Sequence, residues 1–376
     1  MALLAACGSS GDGKDSGAGA DAETLTKAES LVAAAKEGVV SAASAKDPLE
    51  VITGVSDALI KTSDPDQPSL YSVAACEDPC GYVAENAGQL AKDVDGASVT
   101  SKVGLDGLAW QQLITSAVNT DPAAIIMPGV PDVSVLAEID KARQADVKTV
   151  GVAVEQKAPE GKGYDAYVSV RQDIGYPFML TTALADSGGK ADVALFLPGG
   201  DSNILGYAEE AERQFKEQCP TCKLIIKVTA FEDLVDPTAL DQLTTSVLNA
   251  NPDIDYMAFA DDYYPFSVVT QAAKRLNRDV TLISQDGSTP GLQAVKAGDL
   301  KYNVGMPLDW IAYASYDQVR RLLAGEPALP ANGWGGGLHL WTKDNLPSDV
   351  SDQTEATKIW RDLIPYPAAY DEVWGP

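Results

Sequence analysis

Tyr256-Met257-Ala258-Phe259-Ala260-Asp261-Asp262-Tyr263-Tyr264 is an apolar run of strand length that turns abruptly polar at its end. Helix-like stretches flank it, Ala239–Asn249 before and Ser267–Leu276 after. A run without polar alternation fits a strand covered on both faces, and the flanking helices supply the cover. The unit recurs along the chain. Other such runs are Leu70–Ala75, Val99–Val103, Ala123–Met127, Thr149–Val154, Tyr167–Val170, Val193–Leu197, Leu224–Val228 and Val280–Ser284. Helix-like stretches lie between them at Gly81–Lys92, Gly107–Asn119, Val133–Ala145, Gly175–Ser187, Ala208–Glu217 and Leu292–Ala297. This alternation predicts an α/β chain with parallel sheets and helices on both sheet faces. Nine or ten strands in two runs of the rhythm predict two doubly wound sheets. A closed barrel is the alternative, which the helical N-terminal arm and irregular tail fit less well.

In open parallel sheets, ligands bind beyond the carboxyl ends of the strands. Those ends are polar or small here: Cys76-Glu77-Asp78-Pro79, Pro128-Gly129-Val130-Pro131, Glu155-Gln156, Arg171-Gln172-Asp173, Pro198-Gly199-Gly200-Asp201, Asp261-Asp262-Tyr263-Tyr264 and Gln285-Asp286-Gly287. They form the inventory from which a binding site would be built.

The chain of 376 residues is 45% hydrophobic, enough for a real core in two domains. No apolar run is long enough to cross a bilayer. A formal net charge of −26 repels phosphate backbones, which excludes nucleic acid as a partner. Leu4-Ala5-Ala6-Cys7-Gly8 resembles a bacterial lipobox, with Cys7 as the lipidated residue. Only Met1–Ala6 precede it, so the segment reads as a signal-peptide remnant. Residues 1–22 are then remnant and flexible tether, and 23–68 a helical arm of two helices. This predicts an extracytoplasmic protein held to the outer face of the membrane by lipid alone. Four further cysteines fall in two close pairs, Cys76 with Cys80 and Cys219 with Cys222. Two local disulfides in an oxidising compartment account for them. Cys219-Pro220-Thr221-Cys222 follows a helix and precedes a strand. The helix dipole is therefore reversed for a redox centre, and a structural bridge is expected.

At this point the sequence resembles a type I periplasmic substrate-binding protein of the ribose-binding-like branch, over residues 69 to 340. Four segments carry the resemblance: Asp121-Pro122-Ala123-Ala124-Ile125-Ile126-Met127-Pro128, the stretch from Asn251 to Asp262, Val280-Thr281-Leu282-Ile283-Ser284-Gln285-Asp286-Gly287, and Gly291–Leu300. The resemblance implies two lobes joined by three crossovers, closing by a hinge around a ligand. Lobe 1 is expected over 69–172 plus 304–335, and lobe 2 over 173–303 plus 336–376. It implies that Asp261 and Asp286 accept hydrogen bonds from ligand hydroxyls. Trp110 and Trp310 become candidates to stack on a sugar face. Met306 or Asp309 falls at a polar hinge position, and Asp78, Gln285 and Tyr264 complete the expected ligand set. The Asp-Arg pair that many sugar-binding relatives carry is replaced by Ala153-Val154-Glu155, leaving Arg171 as the nearest cation. The ligand is then a sugar, polyol or sugar derivative, a sugar acid paired with Arg171, or a cationic or amino-acid-like compound.

Each candidate has a plainer role. Asp286 before Gly287 is a common turn residue. Of Asp261 and Asp262, adjacent on an extended segment, one faces the cleft and the other caps a helix; Asp261 is chosen. Both tryptophans are as readily core rings, and Arg171 as readily a surface ion pair. Enzymatic catalysis is not expected. The single histidine, His339, sits in the alternating stretch Leu338-His339-Leu340-Trp341, and no nucleophile elbow, HExxH or P-loop occurs. No cofactor or metal is expected, and a zinc site drawing on the four cysteines is disfavoured. The sequence therefore predicts a monomeric solute receptor for an ABC importer that docks to its permease. A receptor reporting to a membrane signalling partner is the alternative.

Overall fold

In the computed structural model the described residues are 19–40 and 68–374, apart from Glu155, Gly200, Asp201, Gly333 and Gly335. The lipobox with Cys7, the second helix of the arm and Glu155 lie outside them. Two sheets form. The first contains β1 (Ser69–Ala74), β2 (Ser98–Val103), β3 (Ala124–Pro128), β4 (Lys148–Val152) and β5 (Ala166–Val168), all parallel, in the order β2-β1-β3-β4-β5. The second contains β6 (Val193–Pro198), β7 (Leu224–Thr229), β8 (Tyr256–Phe259), β9 (Thr281–Asp286), β10 (Tyr302–Gly305) and β11 (His339–Trp341), in the order β11-β10-β9-β8-β6-β7. β11 alone in this sheet runs antiparallel, pairing Gly305 with His339. Reversed, β7-β6-β8-β9-β10 repeats the strand order of the first sheet, so each lobe is one copy of the same winding.

Burial explains the apolar runs. Ile125, Met127, Ala194, Phe196, Met257 and Phe259 lose all solvent contact between helices on the two sheet faces. The chain crosses between sheets after β5, after β10 and before β11. The helix Leu308–Ala324 returns to pack on β4 and β5 of the first sheet. It buries Asp309, Asp317, Arg320 and Arg321 by pairing them: Arg321 with Asp317 at 2.8 Å, Arg361 with Asp309 at 2.7 Å, and Arg320 with Asp95 at 3.5 Å.

Both close cysteine pairs are disulfides. Cys219–Cys222 staples the end of helix Ser202–Gln218 to the start of β7, the arrangement that excludes a helix-opening redox motif. The arm helix Ala22–Glu37 opens on Asp21, whose side chain accepts from Thr24 N at 2.7 Å. It lays Ala28, Val32 and Ala35 against the helix Gln172–Asp186. Val40 then bridges to Leu338 beside β11. Two tail helices, Thr354–Leu363 and Tyr366–Trp374, end the described chain. The second packs on Leu308–Ala324, so the tail is shared between the lobes rather than held by lobe 2 alone.

Candidate functional site

The carboxyl ends of β1, β8 and β9 meet where the two lobes touch. β8 delivers Asp261 and Asp262, whose alternating directions give them different surroundings. Asp262 is completely buried and accepts from Ser284 Oγ (2.6 Å), Ser288 N (3.0 Å), Ser288 Oγ (2.9 Å) and Asn303 Nδ2 (2.7 Å). It thereby holds β9, β10 and the start of helix Thr289–Ala297 together. Gly291 lets that helix approach, since a Cβ there would fall 2.1 Å from Asp262 Oδ2. Burial pushes the Asp262 carboxyl up to about 7 against those hydrogen bonds. Asp261 is less buried and accepts from Tyr264 Oη at 2.7 Å.

β9 ends on Asp286, which is 6% exposed and adopts φ +138°, a region L-residues seldom occupy. Its Oδ2 accepts from Asp262 N at 3.3 Å. Burial, and then the charges of Asp261 and Asp262, hold its pKa well above the usual carboxylate range. From the first lobe comes the disulfide-closed turn Cys76–Cys80, which carries Asp78 to Thr289 of the second lobe. Burial raises the Asp78 carboxyl too. Tyr263 lies in the middle. Its phenol is pushed up by burial and then by the charges of Asp286, Asp261, Asp262 and Asp78 in turn. Such a site offers strong acceptors from both lobes inside a water-poor gap. It can hold the O–H or N–H donors of a small polar molecule.

Residues 81–327 match the model of the periplasmic binding protein domain family, well over half of the chain. The chain belongs to that family. Solved structures of similar architecture include AraP, an arabinose binding protein from Geobacillus stearothermophilus. It has 17% identity and a TM-score of 0.62, over 75% of this chain and 98% of that one. A 5-methylthioribose transporter solute binding protein from Thermotoga lettingae shows 13% identity and a TM-score of 0.63, over 84% and 99%. A periplasmic solute binding protein from Actinobacillus succinogenes, with bound D-allose, shows 16% and 0.62, over 74% and 98%. At these identities the likeness is one of fold. No curated protein matches the chain.

Within this periplasmic binding domain, the residues expected at the ligand from sequence fall into two groups. Asp286, Asp261, Asp78 and Tyr264 lie at or directly behind the site, Tyr264 with its ring in the second lobe's core against Phe259 and Phe266. Gln285 is buried behind it, against Gly175 and 3.9 Å from Met306 Sδ. The others stand elsewhere. Trp310 is a core ring, stacked on Tyr366 at 5.1 Å and edge-on to Trp334 at 5.4 Å, with no solvent exposure. Trp110 is half-buried and donates Nε1 to Gly104 O. Arg171, at φ +60°, forms an ion pair with Asp173 at 3.0 Å. Asp309 anchors the tail by accepting from Arg361 Nε and Tyr366 Oη, both at 2.8 Å. Tyr263 is the residue that the sequence left unassigned. Two cavities, about 510 and 660 Å³, lie away from this site, beside Lys301 and Tyr302 and under the arm helix.

Proposed function

We propose that the chain is an extracytoplasmic solute receptor of an ABC importer, capturing a sugar, polyol or sugar derivative between its lobes. The supporting observation is the meeting of the two lobes at the ends of β1 and β8, where Tyr263 Oη lies 3.5 Å from Cys76 Sγ, with Asp261 and the almost wholly buried Asp286 on one lobe and Asp78 on the other. A carboxyl oxygen accepts hydrogen bonds in either protonation state, and a proton retained on Asp286 can donate one, so a polyhydroxy ligand, which both donates and accepts, matches the set. Similar proteins whose descriptions include arabinose, D-allose and 5-methylthioribose support the same class.

The mechanism is binding and closure, with no covalent step. A ligand that touches both lobes favours the closed arrangement by its differential affinity. The permease then reads the altered spacing of the lobe faces. The lobes move as 69–172 plus 304–335 against 173–303 plus 336–376, with the last helix, Tyr366–Trp374, packed on Leu308–Ala324 of the first. Cys7 carries the lipid anchor, and the receptor acts as a monomer. The density of carboxylate favours a second reading, an amino-bearing or otherwise cationic ligand.

A thermal-shift screen tests this with L-arabinose, D-allose, 5-methylthioribose, polyols and amino sugars. A ligand bound at a hundredfold excess over its Kd stabilises the folded state by about 2.7 kcal/mol. A shift with a neutral sugar, lost in Asp286→Ala, supports the first reading. A shift with the amino compounds alone moves the assignment to the second.

A further inference from the structure

Tyr263 spends its hydroxyl across the lobes. Its Oη lies 3.5 Å from Cys76 Sγ and 4.0 Å from Cys80 Sγ. The turn bearing those sulfurs is braced from within. Cys80 N donates to Cys76 Sγ at 3.2 Å, and Gly81 N to Cys76 O at 2.9 Å. It is also braced from behind by Gly129 at the end of β3, where a Cβ would come 3.0 Å from Cys80 Sγ. The bonded sulfurs are therefore backed closely by the Gly129 backbone, and they face the second lobe at the site. While bonded, both sit beneath one hydroxyl. As separate thiols they would move apart to non-bonded distance. The five-residue turn that brings Asp78 to Thr289 would then lose its closure.

We propose that Tyr263 and the Cys76–Cys80 disulfide form the latch of the cleft, so that closure of the lobes requires the oxidised bridge. The consequence for ligand capture rests on the receptor reading above; the latch concerns the lobes alone. A small dithiol would release it. The reagent's two thiols become a cyclic disulfide, the Cys76–Cys80 bond accepts the two electrons and breaks, and the two protons end on Cys76 and Cys80. In an oxidising compartment the bridge persists, and closure with it.

Small-angle X-ray scattering of the full chain without ligand decides the matter. The Cys219→Ser/Cys222→Ser variant is used, so that two thiols appear on reduction. The radius of gyration is expected to rise with dithiol, to fall back on reoxidation, and to be larger in Tyr263→Phe with the bridge intact. Unchanged far-UV circular dichroism separates opening from unfolding. If reduction does unfold the chain, Tyr263→Phe alone decides. An unchanged radius in Tyr263→Phe, or in folded protein with two newly reactive thiols, overturns the latch. A sugar screen with no hit would count against the receptor reading and leave the scattering result standing. Where a sugar does bind, Tyr263→Phe is expected to weaken it roughly 2- to 10-fold, the value of one neutral hydrogen bond.

Discussion

Asp286 sets folding against the proposed function within one residue. Its φ of +138° suits glycine, and its carboxyl is buried beside Asp261 and Asp262. The pKa is raised in the folded state, so above about pH 3.8 the folded chain retains a proton that the unfolded chain has lost. Stability from this group therefore falls as pH rises through that window. Asp286→Gly removes both the strain and the titration. The variant is expected to be more stable than its parent at pH 7, by roughly 1–3 kcal/mol from the backbone alone. The advantage should shrink toward pH 4, and the sugar-induced shift should vanish. Denaturant unfolding at the two pH values measures it, and a variant less stable than its parent at pH 7 would contradict the assignment. Asp286 and Asp261 were legible because a charge directly after an apolar strand falls at the ligand-binding edge. Tyr263 was not, because Tyr263-Tyr264 offers two identical side chains. Only the backbone turn after β8 decides that Tyr264 enters the core and Tyr263 the cleft.

At the scale of elements, all nine runs became strands: the central ones are covered on both faces and leave no polar alternation to confuse the pattern, while β2 at the sheet edge is exposed along most of its length. β10 and the helix Leu308–Ala324 escaped for the opposite reason. Asn303 is buried in one, and Asp309, Asp317, Arg320 and Arg321 in the other, so polar residues occupy core positions. The arm shows what such buried polar groups can do. His339 Nδ1 lies 2.7 Å from Gly38 O, an acceptor, so this nitrogen carries the proton. Nε2 lies 3.3 Å from Asn345 Nδ2. The Asn345 amide is oriented by Thr342 N, which donates to its Oδ1 at 2.7 Å, while its Nδ2 donates to Lys36 O at 2.8 Å and Leu340 O at 2.9 Å, so the group facing Nε2 is a donor and cannot accept a proton from it. Only neutral imidazole fits, and burial lowers its pKa below 6.5. Here the unfolded chain takes up the proton first. The contribution is complete above pH 6.5 and is lost as pH falls toward the lowered folded value. Hydrogen exchange of helix Ala22–Glu37 is expected to quicken between pH 7 and pH 5 beyond its intrinsic change. His339→Gln should flatten that dependence. Equal acid sensitivity in the variant would place the cause elsewhere.

For the whole molecule, two lobes followed from repetition, but the strap across them did not, because its partners lie far away in sequence. The helix Thr354–Leu363 touches both lobes. Tyr82 and Thr357 share a hydrogen bond of 2.6 Å, Gln353 Nε2 reaches Gly287 O at 3.2 Å, and Trp360 meets His339 and Trp341 edge-on. The last helix then covers Leu308–Ala324. Trp374 stacks on Tyr313 at 5.6 Å, donates Nε1 to Asp317 Oδ1 at 3.0 Å, and lies under the Arg320 guanidinium. These contacts begin more than a turn beyond the crossover at Met306–Pro307. Trp374→Ala is therefore expected to cost about 3–5 kcal/mol of stability, with sugar affinity per folded molecule unchanged within about twofold. Arg361 acts nearer the crossover, holding Asp309 three residues after Met306. With Arg361→Ala, Tyr366 still donates to Asp309, so stability should drop by only about 1–3 kcal/mol. The segment that would bend in the proposed closure would, however, lose one of its two braces. Affinity should then change more in Arg361→Ala than in Trp374→Ala, although the latter is the less stable protein. Calorimetric binding on the two variants, set beside their unfolding curves, reads this directly. If affinity instead follows stability across both, the tail acts only as a lid on the core and takes no part in closure.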